Sequence, residues 1–319
     1  MHNEVSEQQV FSLKHQVVRD LAWSLWGPAL FIHPSPHNEK TGLFQLDWSW
    51  LKSLDQNPNS LNNYLASKNT RLLGTRFEAL WQFYFSNHPS FSHSCFNLQV
   101  SDKKITIGEF DALIQNENKQ LYHIELACKF YLEWSDSQDK TLWIGPNCSD
   151  RLDIKYTKTC NHQLPLLHTE LGKKAYQEAI EKVTIDKPTS ISQLAIWRGF
   201  RFNKSHWFRY GSLSLNELIQ TSELSDKKSM WFMADKSYWL SPTVFENSTL
   251  LTSAAQIKQS IDDHFKTKAF AFILVKLDYS GKNRQWQQSN RYFITPLTWP
   301  HGKLSDSALT PLRPCKPPL

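Results

Sequence analysis

Between Gly108 and Tyr131 the chain reads Gly-Glu-Phe-Asp-Ala-Leu-Ile and then, after a short polar turn, His-Ile-Glu-Leu-Ala-Cys-Lys-Phe-Tyr. Apolar residues alternate with the acids, as in a strand with one face against a core. Successive side chains of a strand point to opposite faces, so Glu109 and Asp111 share one face, and Glu125 and Lys129 share a face of the next strand. If the two strands pair, three carboxylates and one ammonium converge. Carboxylates held together repel unless something neutralises them, and a hard divalent cation does so naturally. Asp111 and Glu125 are therefore the expected ligands of Mg²⁺ or Mn²⁺, with Glu109 as a further participant. A lysine beside such a cation can steady negative charge growing on a phosphate or orient a water.

The elements needed to position these groups are legible around them. From Arg71 to Phe85 the apolar residues Phe77, Leu80, Trp81, Tyr84 and Phe85 form one helical stripe, with Glu78 at its border. That suits a helix packed on a sheet and pointing one acid toward the sheet's edge; a solvated Glu on the helix flank is the plain alternative. Phe96, Leu98 and Val100 alternate with polar residues as a first strand, and Asp102-Lys103-Lys104 is a turn. Residues 105–114 and 121–132 are the second and third strands, joined by a turn over 116–119. Trp143-Ile-Gly is a short fourth strand, ended by Gly145-Pro146-Asn147. Ser149 or Asp150 then caps a helix running from Arg151 to about Leu167. Arg151, Lys155 and Lys158 stand three or four apart, so one face of this helix is basic and suits a phosphate backbone. An ordinary charged helix surface is the commoner meaning of such a run, and Asp153 could pair with the neighbouring bases. His162 and Gln163 could touch substrate, although a surface His is the safer expectation.

These residues resemble the PD-(D/E)XK nuclease superfamily, in which an Asp closes the second core strand and a Glu-x-Lys sits on the third. Asp111 matches the strand-two acid, Glu125 the strand-three acid and Lys129 the lysine. Glu78, in Leu-Gly-Thr-Arg-Phe-Glu-Ala-Leu-Trp, matches an acid that some branches carry on a preceding helix. The resemblance implies a catalytic set of Glu78, Asp111, Glu125 and Lys129. The superfamily usually spaces acid and lysine two apart, whereas here they are four apart, with Ala127 between them on the same face. Four strand residues span roughly 13 Å of backbone. Either the lysine has migrated or catalysis has been lost. The wider chain is similar to a bacterial family known only as a domain of unknown function, through Leu73-Gly74 to Trp81, Glu125 to Tyr131, Trp143-Ile-Gly-Pro-Asn and Asp150-Arg-Leu-Asp-Ile-Lys155.

With 319 residues the chain can bury a substantial core and form two domains, or one with large additions. Its 13 Trp, 19 Phe and 10 Tyr against 10 Gly argue for packed structure rather than disorder. A net charge of +6 permits a nucleic-acid partner, DNA or RNA, without demanding one. The five cysteines, Cys95, Cys128, Cys148, Cys160 and Cys315, make no Cys-x-x-Cys pair, which argues against a disulfide framework or a zinc site. Cys128 reads as a small buried hydrophobe. No run reaches about 18 apolar residues, so no membrane span is expected. The N-terminus, Met1-His-Asn-Glu-Val-Ser-Glu-Gln-Gln, is unlike a signal peptide and points to a cytoplasmic protein.

Before the core, residues 8–30 carry Val17, Val18, Leu21 and Leu25 at helical spacing, broken by Pro28, Pro34 and Pro36. Asp47 can cap a helix through Leu54, and residues 57–60 start another. Trp23, Trp26, Trp48 and Trp50 are the expected packing seam of this helical preface. After Lys187-Pro188-Thr189-Ser190 short aromatic strands take over: 193–202, 205–210, 230–233, 238–240, 270–277 and 291–294, with a helix over 254–266. Trp197, Arg198, Arg201, Phe202, Lys204, Trp207 and Arg209 interleave aromatics with bases. That composition can bind single-stranded nucleic acid, but a sheet with an aromatic core and a basic outer face is favoured, because alternation alone produces it. Residues from Pro311 to Pro318 read as a loose tail.

The expected fold is thus α/β, a restriction-endonuclease-like mixed sheet flanked by helices, with a helical preface over 1–70, a nuclease-like core over 71–190 and a mostly β region over 191–319. The expected function is metal-dependent hydrolysis of phosphodiester bonds in nucleic acid. The rival is a non-catalytic nucleic-acid or protein interaction platform that keeps the fold. The chain contains no phosphate-binding Gly-x-x-x-x-Gly-Lys, no Gly-x-Ser-x-Gly and no His-Glu-x-x-His.

Overall fold

The computed structural model describes residues 7–30, 47–135, 141–183, 188–223 and 229–300. The breaks expected at Pro34 and Pro36, the first six residues, Lys187, the tail from Pro311 to Pro318 and Cys315 lie outside them. The preface comprises α1 (Glu7–Phe11), α2 (Gln16–Trp26), α3 (Trp48–Gln56) and α4 (Asn59–Ala66). Asp47 caps α3, its Oδ1 accepting the Trp50 amide at 2.9 Å. The expected apolar stripe of α2 is buried, and the helix stops before Gly27 and Pro28. Its last carbonyls do not go unpaired, because the buried Arg198 donates to the carbonyl oxygens of Leu25 (2.8 Å) and Ser24 (3.3 Å). The tryptophan seam forms around the next helix, α5 (Leu73–Asn87): Trp26 and Trp50 both meet Tyr84 edge-on.

The core continues through β1 (Phe91–Asp102), β2 (Ile105–Asn116), β3 (Gln120–Ser135) and β4 (Thr141–Ile144). A helical rod follows: α6 (Leu152–Lys158), a π-turn over Thr159–Gln163 and a 3₁₀ turn over Leu164–His168. Next come α7 (Glu170–Val183), which the sequence pattern did not announce, and β5 (Ser190–Phe202). The cap expected at Ser149 or Asp150 is not made. Arg151 is the N-cap, in extended conformation with no side-chain cap bond. The C-terminal part holds β6 (Trp207–Arg209), α8 (Leu213–Glu223), β7 (Ser229–Ala234), β8 (Val244–Phe245), α9 (Ala254–Thr267), β9 (Phe272–Ser280) and β10 (Gln285–Thr295). The strand expected over 238–240 does not form: Lys236–Tyr238 is a single 3₁₀ turn and the next two residues belong to no strand.

The protein is mixed α/β, with two mostly antiparallel five-stranded sheets among the described residues. The first contains β1 to β4 in antiparallel pairs and β5 paired parallel to β3. β5 was expected in the C-terminal region, yet it runs along β3 from Gln120↔Ser190 to Leu132↔Phe202. The boundary expected at 190/191 therefore falls at the edge of a strand of the first sheet. The second sheet has the order β6-β10-β9-β7, with β8 beside β10. One buried cluster joins Leu21, Trp81, Ile124 and Ile196 to Trp239, Val275 and Phe293, so both sheets share a core. Buried Asp20 adds a polar tie across it, accepting hydrogen bonds from Arg76 and Ser241 (both 2.8 Å).

The pairing of β3 creates the feature that matters for function. β5 occupies one edge of β3 from Gln120 to Leu132, so β2 and β4, which pair within or at the end of that span, share the other. β2 covers Leu121 to Ile124 and β4 covers Leu132 to Ser135. Between them, residues 125–131 have no strand on that edge among the described residues, and β2 diverges into a fork. Continuing the β2–β3 register by one step past Ala112↔Ile124 would set Asp111 opposite Glu125.

Candidate active site at the strand fork

The acids from two strands and one helix meet at this fork. Asp111 Oδ2 accepts the Leu126 amide at 2.8 Å, so a side chain takes over a ladder position where the backbones part. Glu125 is 2% exposed. Burial, with the nearby charge of Glu125, pushes the Asp111 carboxyl up to about 7. Burial pushes Glu125 up to about 8, opposed in part by the charge of Lys155 and by hydrogen bonds with Asp111. Glu78 on α5 is pushed up to about 7 by burial and by the charges of Asp111 and Glu109. Glu109 is held at the rim by the Asn97 amide (3.2 Å), itself anchored to Gln82 of α5 (2.8 Å). All four expected acids are thus electrostatically coupled.

The bases are arranged differently from the expectation. Lys129 lies on the Glu125 face of β3, but its ammonium is 2.6 Å from Asp150 Oδ2. Lys155, on α6, reaches the cluster instead. Burial pulls its ammonium below the ordinary lysine value, and the charges of Asp111 and Glu125 oppose that pull. Its Nζ donates to Gln163 Oε1 (3.0 Å) and lies 5.8 Å from the centre of the Trp197 ring. The basic face expected over Arg151, Lys155 and Lys158 does not form. Arg151 stands before the first helical turn, where helical spacing does not apply, and is buried against Asp153 at 2.6 Å. Lys158 is exposed and Lys155 faces the acids.

Two further polar residues hold Glu125, and a third backs one of them. Gln163 donates through Nε2 to Glu125 Oε2 (2.5 Å), while its Oε1 also accepts from Thr159 (2.8 Å). The π-turn carries this amide, and such turns commonly mark functional segments of helices. Glu125 Oε1 is 2.9 Å from Nε2 of the fully buried His123. Burial pushes His123 down to about 4, so near neutral pH this contact is a hydrogen bond rather than an ion pair. Gln193 of β5 lies behind His123 and is in turn in contact with His168. The signal for His123 was available, since residues two apart on a strand share a face. The places of Gln163 and Gln193 follow from long-range packing and left no mark in the pattern. His162 is exposed, as expected of a surface His.

The arrangement also sorts the aromatic and basic run of 197–209. Trp197 and Phe202 are core residues, and Arg198 binds carbonyls of α2. Arg201 stacks over Trp143 (5.3 Å) and Arg209 over Trp134 (5.3 Å), on two different sheets. Cys95, Cys128 and Cys148 are free thiols, with Cys128 buried in the shared core; Cys160 is disulfide-bonded, which the cysteine spacing did not suggest. Among the described residues no helix is long and apolar enough to cross a membrane.

A divalent cation can be tested against these residues. Among the described residues, no three His, Cys, Asp or Glu side chains are grouped as a ready metal cage. Mg²⁺ does not need one, because it usually keeps several waters and binds through one or two carboxylates and substrate oxygens. A buried and a half-buried carboxyl side by side, both held above the ordinary carboxylate value, are a suitable oxygen donor pair for such an ion. Asp111 and Glu125 fit on that chemistry, with Glu78 and Glu109 near enough to feel the charge.

Fold and site together define a mixed α/β protein with a partly buried carboxylate cluster at a strand fork and a lysine brought to it by a helix. The chain belongs to the family described as Domain of unknown function (DUF1853), whose model matches residues 19–295. No curated protein and no solved structure matches the chain.

Proposed function

We propose that the protein is a metal-dependent phosphodiester hydrolase of the PD-(D/E)XK kind acting on nucleic acid, with Lys155 in the role first expected of Lys129. The observation that carries this reading is the shared electrostatics of Lys155 with Asp111, Glu125 and Glu78, set against the engagement of Lys129 by Asp150. A lysine on α6 reaches the acids from above the sheet, which removes the difficulty of the four-residue spacing on β3. In this reading Asp111 and Glu125 hold Mg²⁺ or Mn²⁺. The ion would polarise a phosphate oxygen and lower the pKa of a bound water. Lys155 orients the attacking water or offsets charge on the phosphate, and Glu78 takes or holds a proton at the cluster's edge, its carboxyl poised near neutrality. Lys129 remains close enough to raise the local positive potential, since its charge opposes that of Lys155.

The test is a digestion panel of plasmid, linear duplex, single-stranded DNA and RNA with Mg²⁺ or Mn²⁺. Wild type should cleave at least one substrate, and Asp111→Ala and Lys155→Met should not. A second reading, a non-catalytic nucleic-acid or protein interaction platform, is favoured by one observation: both oxygens of Glu125 already accept hydrogen bonds. Failure of wild type to cleave across the whole panel would support it.

A further inference from the structure

The contacts behind Glu125 determine where a proton sits. Leu164 contributes a backbone carbonyl, which can only accept, and it lies 2.6 Å from the Gln193 amide nitrogen. That contact sets the orientation of the Gln193 amide without reference to any histidine. The same NH₂ group is 3.0 Å from His123 Nδ1, so Nδ1 must be the acceptor and carry no proton. In an imidazole the proton then resides on Nε2, and that N–H points at Glu125 Oε1, 2.9 Å away. The other face of the Gln193 amide closes the chain, because Oε1 lies 2.9 Å from His168 Nε2, which donates to it. Phe110 meets the His123 ring edge-on, with centroids 4.8 Å apart, and limits its rotation.

We infer that Gln193 sets the Nε2–H tautomer of His123, and that these two residues position Glu125 so that its carboxylate presents one fixed face to a divalent cation. This rests on the metal-dependent reading of the site. Without the Nε2–H donor, a buried carboxylate would lose one of its hydrogen bonds and the rotational restraint that goes with it. His123 does not contact the reacting atoms in this account and transfers no proton. It acts through Glu125, as partners of metal-bound carboxylates commonly do. A position two residues before a strand acid thus acquires a function from a strand more than sixty residues later in the chain, β5.

The experiment uses the full chain labelled with ¹⁵N at histidine, as wild type, His123→Gln, His123→Leu and Gln193→Glu. The signals lost in His123→Gln identify the ring. In metal-free wild type, long-range proton–nitrogen spectra should place the proton on Nε2. Gln193→Glu, whose carboxylate can only accept from the ring, should move it to Nδ1. A proton on Nδ1 in wild type, or no change in Gln193→Glu, would overturn the inference. Mn²⁺ calorimetry is the second arm. His123→Leu and Gln193→Glu should bind the ion about 10- to 100-fold more weakly, while His123→Gln, which keeps a donor near the Nε2 position, should bind much as wild type does. Thermal melts of each variant separate this effect from unfolding. Equal Mn²⁺ affinity in wild type and in folded His123→Leu would overturn the positioning role. No uptake by wild type would remove the metal reading and the role built on it, whereas the ring spectra would still decide the tautomer.

Discussion

Replacing Asp111 with asparagine should make the metal-free protein more stable, but only toward alkaline pH. The folded-state carboxyl is pushed up to about 7 by burial and by Glu125, against about 3.9 in an unfolded chain. A raised folded value means that the native state holds a proton the unfolded state has already released. The resulting cost is absent below about pH 4, grows as pH rises between the two values, and levels off above about pH 7. About three pH units at roughly 1.4 kcal/mol each give an upper bound of about 4 kcal/mol. Relaxation around a buried charge reduces such bounds, and about 1–2 kcal/mol is the expected gain. The amide oxygen of asparagine can still accept the Leu126 N–H that Asp111 now accepts, so the ladder contact is retained. For a chain of this size the gain corresponds to about 1.5–3 °C in Tm. Differential scanning calorimetry in chelator should show it at about pH 8 and lose nearly all of it at about pH 3.5. Added Mg²⁺ should raise the Tm of wild type at the higher pH and leave the variant unmoved. A variant that melts at or below wild type at alkaline pH, or gains equally at both pH values, would refute the reasoning.

Lys155→Met should lower any metal-dependent cleavage by at least about 100-fold. Lys129→Met should retain most of it and cost under about 1 kcal/mol in urea melts, because its pair with Asp150 is partly exposed. Loss of cleavage in the Lys129 variant with retention in the Lys155 variant would reverse the assignment. Gly199→Ala should destabilise the first sheet by about 3 kcal/mol or more in the same melts. Gly199 has φ +141°, and an added Cβ would stand 1.7 Å from the Lys129 carbonyl oxygen, so near-wild-type stability would count against the close β3–β5 approach. Arg198→Met should cost about 3 kcal/mol, read by calorimetry, because it leaves the last carbonyls of α2 without this buried donor.

Much of the core was legible because its elements bury one face each. The stripe Phe77, Leu80, Trp81, Tyr84 and Phe85 identified α5, and the alternating runs with polar turns identified β2 and β3 to within a few residues. The left-handed residues Lys103 and Lys119 fall in the turns that were expected. α7 and α8 were missed although Leu171, Ala175, Tyr176 and Ala179 in α7 and Leu215, Leu218 and Ile219 in α8 stand at helical spacing. The place of β5 was misread as well. Its aromatic character matches the strands after it, and character along the chain does not specify which edge a strand joins.

The candidate site divides along the same line. Local alternation determined that Glu109 and Asp111 share a face, that Glu125 follows on the next strand, and that Glu78 borders an apolar stripe, since strand and helix periods are properties of neighbouring residues. The sequence by itself could place Lys129 on the Glu125 face but could not know that Asp150 would engage it. Tertiary structure decided which ammonium reaches the acids, because a helix after β4 brings Lys155 over the fork from outside the sheet. It also decided the two donors to Glu125, one from a π-turn and one backed by a parallel strand. Periodicity assigns a side chain to a face, whereas partners across a fold depend on strand order, register and the path of the connecting chain, which only the packed molecule specifies.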